Sequence, residues 1–423
     1  MSLVAVTILA QTLAASVGDR AELRYLHEPP DSRMELEDRA FLGASFGFPW
    51  AKLRASYAPS VLVSPLESSN RQVFVEHALD AGLDTGGGIT LYQGRRTVLR
   101  LQLAANYSQR DVRRQLLGAP APQGVPRPPT ESPDPPDPNQ PAPSGPEQPE
   151  QVDAPSSAEL VRATDQTVYS VYGRAGLALN HRFSGRSVLD VSSGYGITSG
   201  LGRTSLELSP LLHLVDASAG FRQAVSRRDT LVTTLSGYYD YGPREEHRSW
   251  YVSADQGLLH VFSARTLGEA SVGVAYTLVE EQGVRDEWSV APKALLALNY
   301  NTRLARGQLS LRISTTYAPV LDRSTLVFDK RFDVYGSASW TRRRLNLYAN
   351  VQGTISAEPD DPGSLNSVAA TAGWLYDLGA GFTLDQGVRA AWQTFEGEEV
   401  IRPSWALFLA INWNFEVLNE KLW

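Results

Sequence analysis

Along most of the chain apolar and polar residues alternate one for one. Leu345, Leu347, Ala349, Val351, Gly353 and Ile355 fall on one face of an extended segment, and Asn346, Tyr348, Asn350, Gln352 and Thr354 fall on the other. A strand sends successive side chains to opposite faces, so this segment has one apolar and one polar side. The same spacing sets Leu309, Leu311, Ile313, Thr315 and Tyr317 against Ser310, Arg312, Ser314 and Thr316. It sets Leu99, Leu101, Leu103, Ala105 and Tyr107 against Arg100, Gln102, Ala104 and Asn106. It returns over 270–278 and 382–392. Runs of about ten residues suit strands that cross a bilayer at a tilt. Tyr107, Tyr276, Tyr317 and Trp392 stand near the ends of their apolar faces, where an interfacial aromatic belt would need them.

The punctuation between runs is regular. Short basic turns recur at 182–186, 227–229, 265–268, 303–307 and 342–344, with 378–381 continuing the spacing and 93–96 and 49–52 preceding it. Between them lie acidic stretches: Glu245-Glu246, Glu280-Glu281, Glu358 with Asp360-Asp361, and Glu396 with Glu398-Glu399. A sheet with two distinct rims, one basic and one acidic, displays this segregation directly. The spacing of about one long hairpin predicts roughly 18 strands, the first near 20–26 and the last near 405–415. Sixteen is the alternative, with the N-terminal segment outside the wall.

After the first residues no apolar run is long enough for a membrane helix, which needs about 18 residues. In lipid every backbone N–H and C=O must be paired within the protein, so strands can cross only as a closed sheet. Closure also removes the exposed edges. The expected fold is all-β, a transmembrane antiparallel up-and-down β-barrel of residues 18–416. An even strand number places both termini on one side, the periplasmic side in an outer membrane.

Composition adds three points. Residues 1–17 form a short apolar stretch ending in the small residues Ala14, Ala15 and Ser16, which reads as a secretory signal peptide, although no Lys or Arg precedes its apolar core. Residues 119–156 break the pattern: 14 prolines lie between Ala119 and Pro155, among acidic and small polar residues. Such a stretch cannot donate a hydrogen-bond ladder, and strand parity puts it in an extracellular loop. Cysteine is absent and the net charge is −7, which excludes disulfides, thiolate metal sites and a nucleic-acid-binding surface. Residues 417–423 are expected to form a C-terminal tail, with Phe415 and Trp423 the two aromatics available to the barrel assembly machinery.

At 16 to 18 strands the interior is wide enough for water, and no segment is left over to form a plug domain. The expected lumen-lining residues are Arg100, Gln102, Asn106, Arg312, Asn346, Tyr348, Asn350, Gln352, Asp385, Arg389, Asn412 and Asn414. Together they would offer hydrogen bonds to a polar or sugar-like solute, with Tyr348 able to stack on a sugar ring. Any wet interior also needs polar residues. The six histidines are scattered without metal-ligand spacing. The stretch 196–204 lacks the lysine and glycine spacing of a phosphate loop, and no local motif supports catalysis. No cofactor or metal is expected.

Three stretches carry a resemblance: Phe48-Pro49-Trp50-Ala51-Lys52-Leu53-Arg54-Ala55-Ser56-Tyr57, Val75-Glu76-His77-Ala78-Leu79-Asp80, and Gln93-Gly94-Arg95-Arg96 before an alternating strand. In these the chain resembles a group of outer-membrane β-barrels common in myxobacteria, some of which are 18-stranded porins of polysaccharide export. The resemblance implies a porin-like channel in a polymer-export pathway, in outer-membrane lipid, with a periplasmic polysaccharide-export protein as partner. A general or solute-specific diffusion porin and a structural or adhesive surface barrel are the alternatives.

Overall fold

The computed structural model describes residues 12–28, 31–48, 52–64, 74–85, 88–111, 167–201, 211–243, 247–280, 287–322, 327–357, 366–394 and 402–421. Those residues are strands and the turns between them. In chain order the strands are β1 (Thr12–Glu28), β2 (Asp31–Gly47), β3 (Lys52–Ser64), β4 (Phe74–Asp84), β5 (Ile89–Gln93), β6 (Thr97–Asp111), β7 (Thr167–Arg182), β8 (Ser187–Gly200), β9 (Leu212–Ala224) and β10 (Asp229–Gly242). They continue as β11 (His247–Ser263), β12 (Thr266–Glu280), β13 (Glu287–Leu304), β14 (Gly307–Asp322), β15 (Val327–Arg342), β16 (Leu345–Ser356), β17 (Asn366–Gly379), β18 (Phe382–Thr394) and β19 (Arg402–Lys421).

Each strand pairs antiparallel with its sequence neighbours, and β1 pairs with β19, so the sheet closes on itself. β4 and β5 share one partner: β6 pairs with β4 through Ala104–Gln109 and with β5 through Val98–Leu101. They are two pieces of one interrupted stave, and the wall has 18 staves. The break falls at a run of glycines. Gly88 has φ +93°, and Thr85 bridges the gap through its own N–H to the Leu103 carbonyl (3.0 Å) and by accepting the Leu103 N–H at Oγ1 (3.1 Å).

The 18-stave count, rather than 16, follows because β1 and β2 are full wall strands. β1 is in register with β19 from Thr12↔Lys421 to His27↔Trp405 and with β2 from Thr12↔Gly47 to Glu28↔Asp31. Both end strands run past the bounds expected from the pattern. Thr12–Val17, within the expected leader, pair with the stretch of β19 from Phe415 to Lys421, most of the expected tail. The Pro-rich segment and most of the acidic loop residues lie outside the described residues.

Alternation sets the two faces of the wall. Most of the exposed large apolar residues fall on one parity, among them Leu23 and Tyr25 on β1, Val272, Val274 and Tyr276 on β12, Leu347, Val351 and Ile355 on β16, and Leu407, Leu409 and Ile411 on β19. This is the outer face. It carries two aromatic tiers. Tyr25, Trp250, Tyr276, Trp288, Trp392 and Trp405 lie toward the long-loop rim, and Tyr92, Phe221, Phe262, Phe382 and Phe415 toward the rim of short turns. Trp405 and Phe415 on β19 are separated by about 33 Å of strand at 3.3 Å per residue. At a tilt near 45° that is a height of about 25 Å, the apolar band of a membrane barrel. Two carboxylates interrupt this face, Asp19 on β1 and Asp38 on the neighbouring β2. They explain why the first hairpin reads less regularly than the rest.

Connections at the rim holding the ends of β1 and β19 are two to four residues long. Ala305 and Arg306 (φ 49° and 65°) turn β13 into β14 with both residues left-handed, the mirror-image turn whose twist matches paired strands.

Candidate functional site

The inner face is where side chains from non-adjacent strands converge. Its densest feature lies at the seam where the sheet closes. Glu22 on β1 accepts two hydrogen bonds from Arg389 on β18, at 2.6 and 3.1 Å, and one from Arg20 Nη2 at 2.6 Å. Arg20 also reaches Asp385 Oδ2 on β18 (3.2 Å) and Asn412 Oδ1 on β19 (3.1 Å). The Tyr348 hydroxyl on β16 donates to the other oxygen of Asp385 (2.7 Å). On the far side Arg24 engages Glu35 (3.2 Å) and Glu37 on β2, and Arg39 also meets Glu37 (3.2 Å). Four arginines thus face four carboxylates. Glu22, Arg24, Glu35, Asp385 and Arg389 are all buried.

Small residues make this convergence geometrically available. Asp385 and Glu22 stand either side of Ala410 on β19, in register with both, so the Arg20 and Arg389 guanidinium groups pass over a methyl group. Tyr348 crosses β17 above Gly373, where a Cβ would lie 2.8 Å from its hydroxyl. Phe408 lies on Gly387 in the same way, at 2.8 Å, and the Arg389 guanidinium carbon sits 4.0 Å from the Phe408 ring centroid. A charge buried from water needs this degree of pairing to be tolerated.

Two further clusters repeat the device. Lys293 on β13 crosses β12 above Gly273 to reach Asp255 (2.8 Å) and Ser253 (3.0 Å) on β11, and its ammonium lies 5.7 Å from the Tyr251 ring. Tyr251 stacks on Tyr238 of β10 (4.8 Å, 9°). Phe328, at the loop end of β15, lies 6.3 and 6.5 Å from these two rings. Since β12, β13 and β14 separate β15 from β11, that contact is made across the interior. Beneath it Asp240, Ser249, Ser253, Ala275, Thr277 and Ala291, all on the inner parity, are almost fully covered. Next along the wall Arg174 on β7 crosses Gly194 to Asp216 on β9 (2.8 Å). Asp190 on β8 takes Arg222 (2.6 Å) and Asn180 (2.5 Å).

The twelve residues expected to line the interior all have the inner parity, and the structure sorts them. Tyr348, Asp385, Arg389 and Asn412 belong to the seam lattice, their polar atoms engaged by one another, by Arg20 and Glu22, and by Thr383 (Asn412 Nδ2 to Thr383 Oγ1, 3.3 Å). Arg312 stands apart, 5.9 Å over the Tyr335 ring, within electrostatic reach of Glu269. Asn346 accepts from Thr341 near the short-turn rim (3.1 Å). Arg100, Gln102, Asn106, Asn350, Gln352 and Asn414 have no side-chain partner among the described residues, and Arg100, Gln352 and Asn414 are exposed. The sequence reading passed over Arg20, Glu22, Arg24, Glu35, Glu37, Arg39, Asp255 and Lys293. The signal was present as charges alternating with Ala21, Leu23, Tyr25, Met34 and Leu36. Among the described residues no group of three His, Asp or Glu is placed to hold a metal.

No protein-family profile matches the chain, and no curated protein matches it. Solved structures do. OccK2 (OpdF) of Pseudomonas aeruginosa aligns over 96% of this chain and 98% of its own, at 9% identity and a TM-score of 0.42. The outer membrane protein opdK of the same organism aligns over 96% and 98%, at 9% and 0.41. OccAB4 of Acinetobacter baumannii aligns over 97% and 99%, at 9% and 0.41.

Proposed function

We propose that the chain is an outer-membrane channel through which small polar solutes diffuse. One observation carries this reading: a closed wall, apolar outside between two aromatic tiers, keeps polar side chains without partners inside, on β6, β16 and β19. Groups satisfied within the lattice have little left to offer a solute. Arg100, Gln102, Asn106, Asn350 and Gln352 remain free to exchange hydrogen bonds with one. The reading places both termini and the short turns in the periplasm, with a cleaved leader within residues 1–17.

Small solutes fit better than a polymer. The covered inner residues of β10–β13 and of the seam, with Phe328 reaching across, leave a narrower passage than the strand number alone would give. Export of polysaccharide, implied by the resemblance, has no such observation behind it. Swelling of proteoliposomes in a graded series of sugars tests the choice. Entry of mono- and disaccharides with exclusion of long oligosaccharides is the expected result. Free passage of a polymer would favour export, and no swelling in any solute would defeat the channel.

A further inference from the structure

Three successive turns on the short-turn rim share one construction. Phe183-Ser184-Gly185-Arg186, Val225-Ser226-Arg227-Arg228 and Phe262-Ser263-Ala264-Arg265, the last beginning in the final two residues of β11, each put an apolar residue, a serine and, two positions later, an arginine where paired strands turn. In each the serine hydroxyl accepts the backbone N–H of that arginine: Arg186 to Ser184 at 3.0 Å, Arg228 to Ser226 at 3.0 Å, and Arg265 to Ser263 at 3.1 Å. The turn is therefore held in one form, and each arginine leaves the rim from the same place in it. The apolar partners are not packed away: Phe183 is 50% exposed, Val225 51% and Phe262 57%.

Neighbouring turns extend the pattern without the serine. Arg95 and Arg96 precede it, and Leu304 with Arg306 and the run Arg342-Arg343-Arg344 follow it, all exposed. From β5 to β16 the rim is a continuous basic arc. The carboxylate within it, Asp229, is held by His260 (2.6 Å) and Ser226 and feels the charge of Arg228 beside it, while Arg186, Arg228 and Arg265 form no ion pair within 4.0 Å among the described residues. At the β17–β18 turn the arc stops: it holds Gly379, Ala380 and Gly381 with no arginine.

Exposed apolar side chains beside guanidinium groups outside any close ion pair, at the lower aromatic tier and just beyond it, match the boundary between acyl chains and headgroups. Arginine there is suited to phosphate oxygens, which its planar fork engages in pairs. We propose that this arc binds the anionic phospholipid headgroups of the leaflet it faces, each turn seating its apolar residue among acyl chains and its arginine on a phosphate. The inference concerns the rim and stands apart from the passage of solutes.

Native mass spectrometry of the folded barrel, offered equal phosphatidylglycerol and phosphatidylcholine in neutral detergent, tests it. The expected result is retention of phosphatidylglycerol in preference to phosphatidylcholine. The preference should fall at least tenfold in the variant Arg186→Gln/Arg228→Gln/Arg265→Gln, since one cation near a charged surface is worth about fivefold. Arg100→Gln, inside the barrel, should leave it unchanged. Should the triple variant not fold, judged by heat-modifiable mobility on a gel, the wild-type preference must still collapse in high salt. Equal retention of both lipids, a preference indifferent to salt, or one that survives the triple substitution overturns the proposal.

Discussion

The seam and the arc around β6 are built from the same alternating strands but use their inner faces differently. At the seam, Glu22, Arg24, Glu35, Asp385 and Arg389 are buried and paired, and the pairs link residues far apart in sequence, β1 with β18 and β19. On β6, Arg100, Gln102 and Asn106 sit on the same face without partners among the described residues. The difference separates two duties of a polar interior. One links β1 to β18 across β19, adding side-chain pairs to the ladder that closes the sheet. The other leaves hydrogen-bonding groups on the inner face without partners among the described residues.

The sharpest way to break this comparison is to remove Glu22. Three arginines converge on it; Arg20 and Arg24 keep other carboxylates, but Glu22→Ala leaves the buried Arg389 without its ion-pair partner, a loss of about 3–5 kcal/mol. It should appear as a lowered denaturation midpoint of the barrel in detergent. The double change Glu22→Met/Arg389→Met should recover part of that loss. If Glu22→Ala costs no more than Gln352→Ala, the seam lattice is not what secures closure. Gly387→Val is next. A Cβ at Gly387 would lie 2.4 Å from the Ala372 carbonyl oxygen and 2.8 Å from the Phe408 ring. The overpacking should cost about 1–3 kcal/mol on the same melt, while Val at Gly220, where a Cβ meets nothing within 4 Å, should cost much less.

Smaller effects sharpen the contrast. Lys293→Met strands Asp255 beside Ser253 and should destabilise by about 1–3 kcal/mol, read by the same unfolding curve. Asp255→Asn should cost less, because the amide can still accept a hydrogen bond from the lysine. Smallest of all, Arg100→Ala should shift stability by no more than about 0.5 kcal/mol. A large loss there would mean that the β6 arc is also structural.

Much of the wall was legible in the period-two pattern, because lipid outside and water inside impose opposite demands on successive residues. The runs at 309–317, 345–355 and 405–415 correspond to β14, β16 and β19, and the turn spacing carried the stave count. The ends were less legible. Pattern alone does not reveal that Thr12–Ala15 and Leu418–Lys421 are paired, since each is the other's neighbour across the whole length of the chain. Nor did the first hairpin stand out, with Asp19 and Asp38 breaking its apolar face. The inner set was read by parity, which fixes the side of the wall but not the partner. Whether Asp385 meets a solute or Arg20 depends on Ala410 between them and on a strand some 365 residues away in sequence. Glycines stand at 194, 273, 373 and 387 on the inner side of their strands. Each is a place where a side chain crosses from one strand to the next but one, or rests against the wall.

Single-channel recording in planar bilayers tests the central claim most directly. The purified protein should show steady ion conductance, and Arg100→Glu, on an exposed inner position, should move its reversal potential toward cation preference without loss of the folded band on a gel. A protein that folds and inserts yet passes no current, or whose selectivity ignores that charge reversal, would contradict the account.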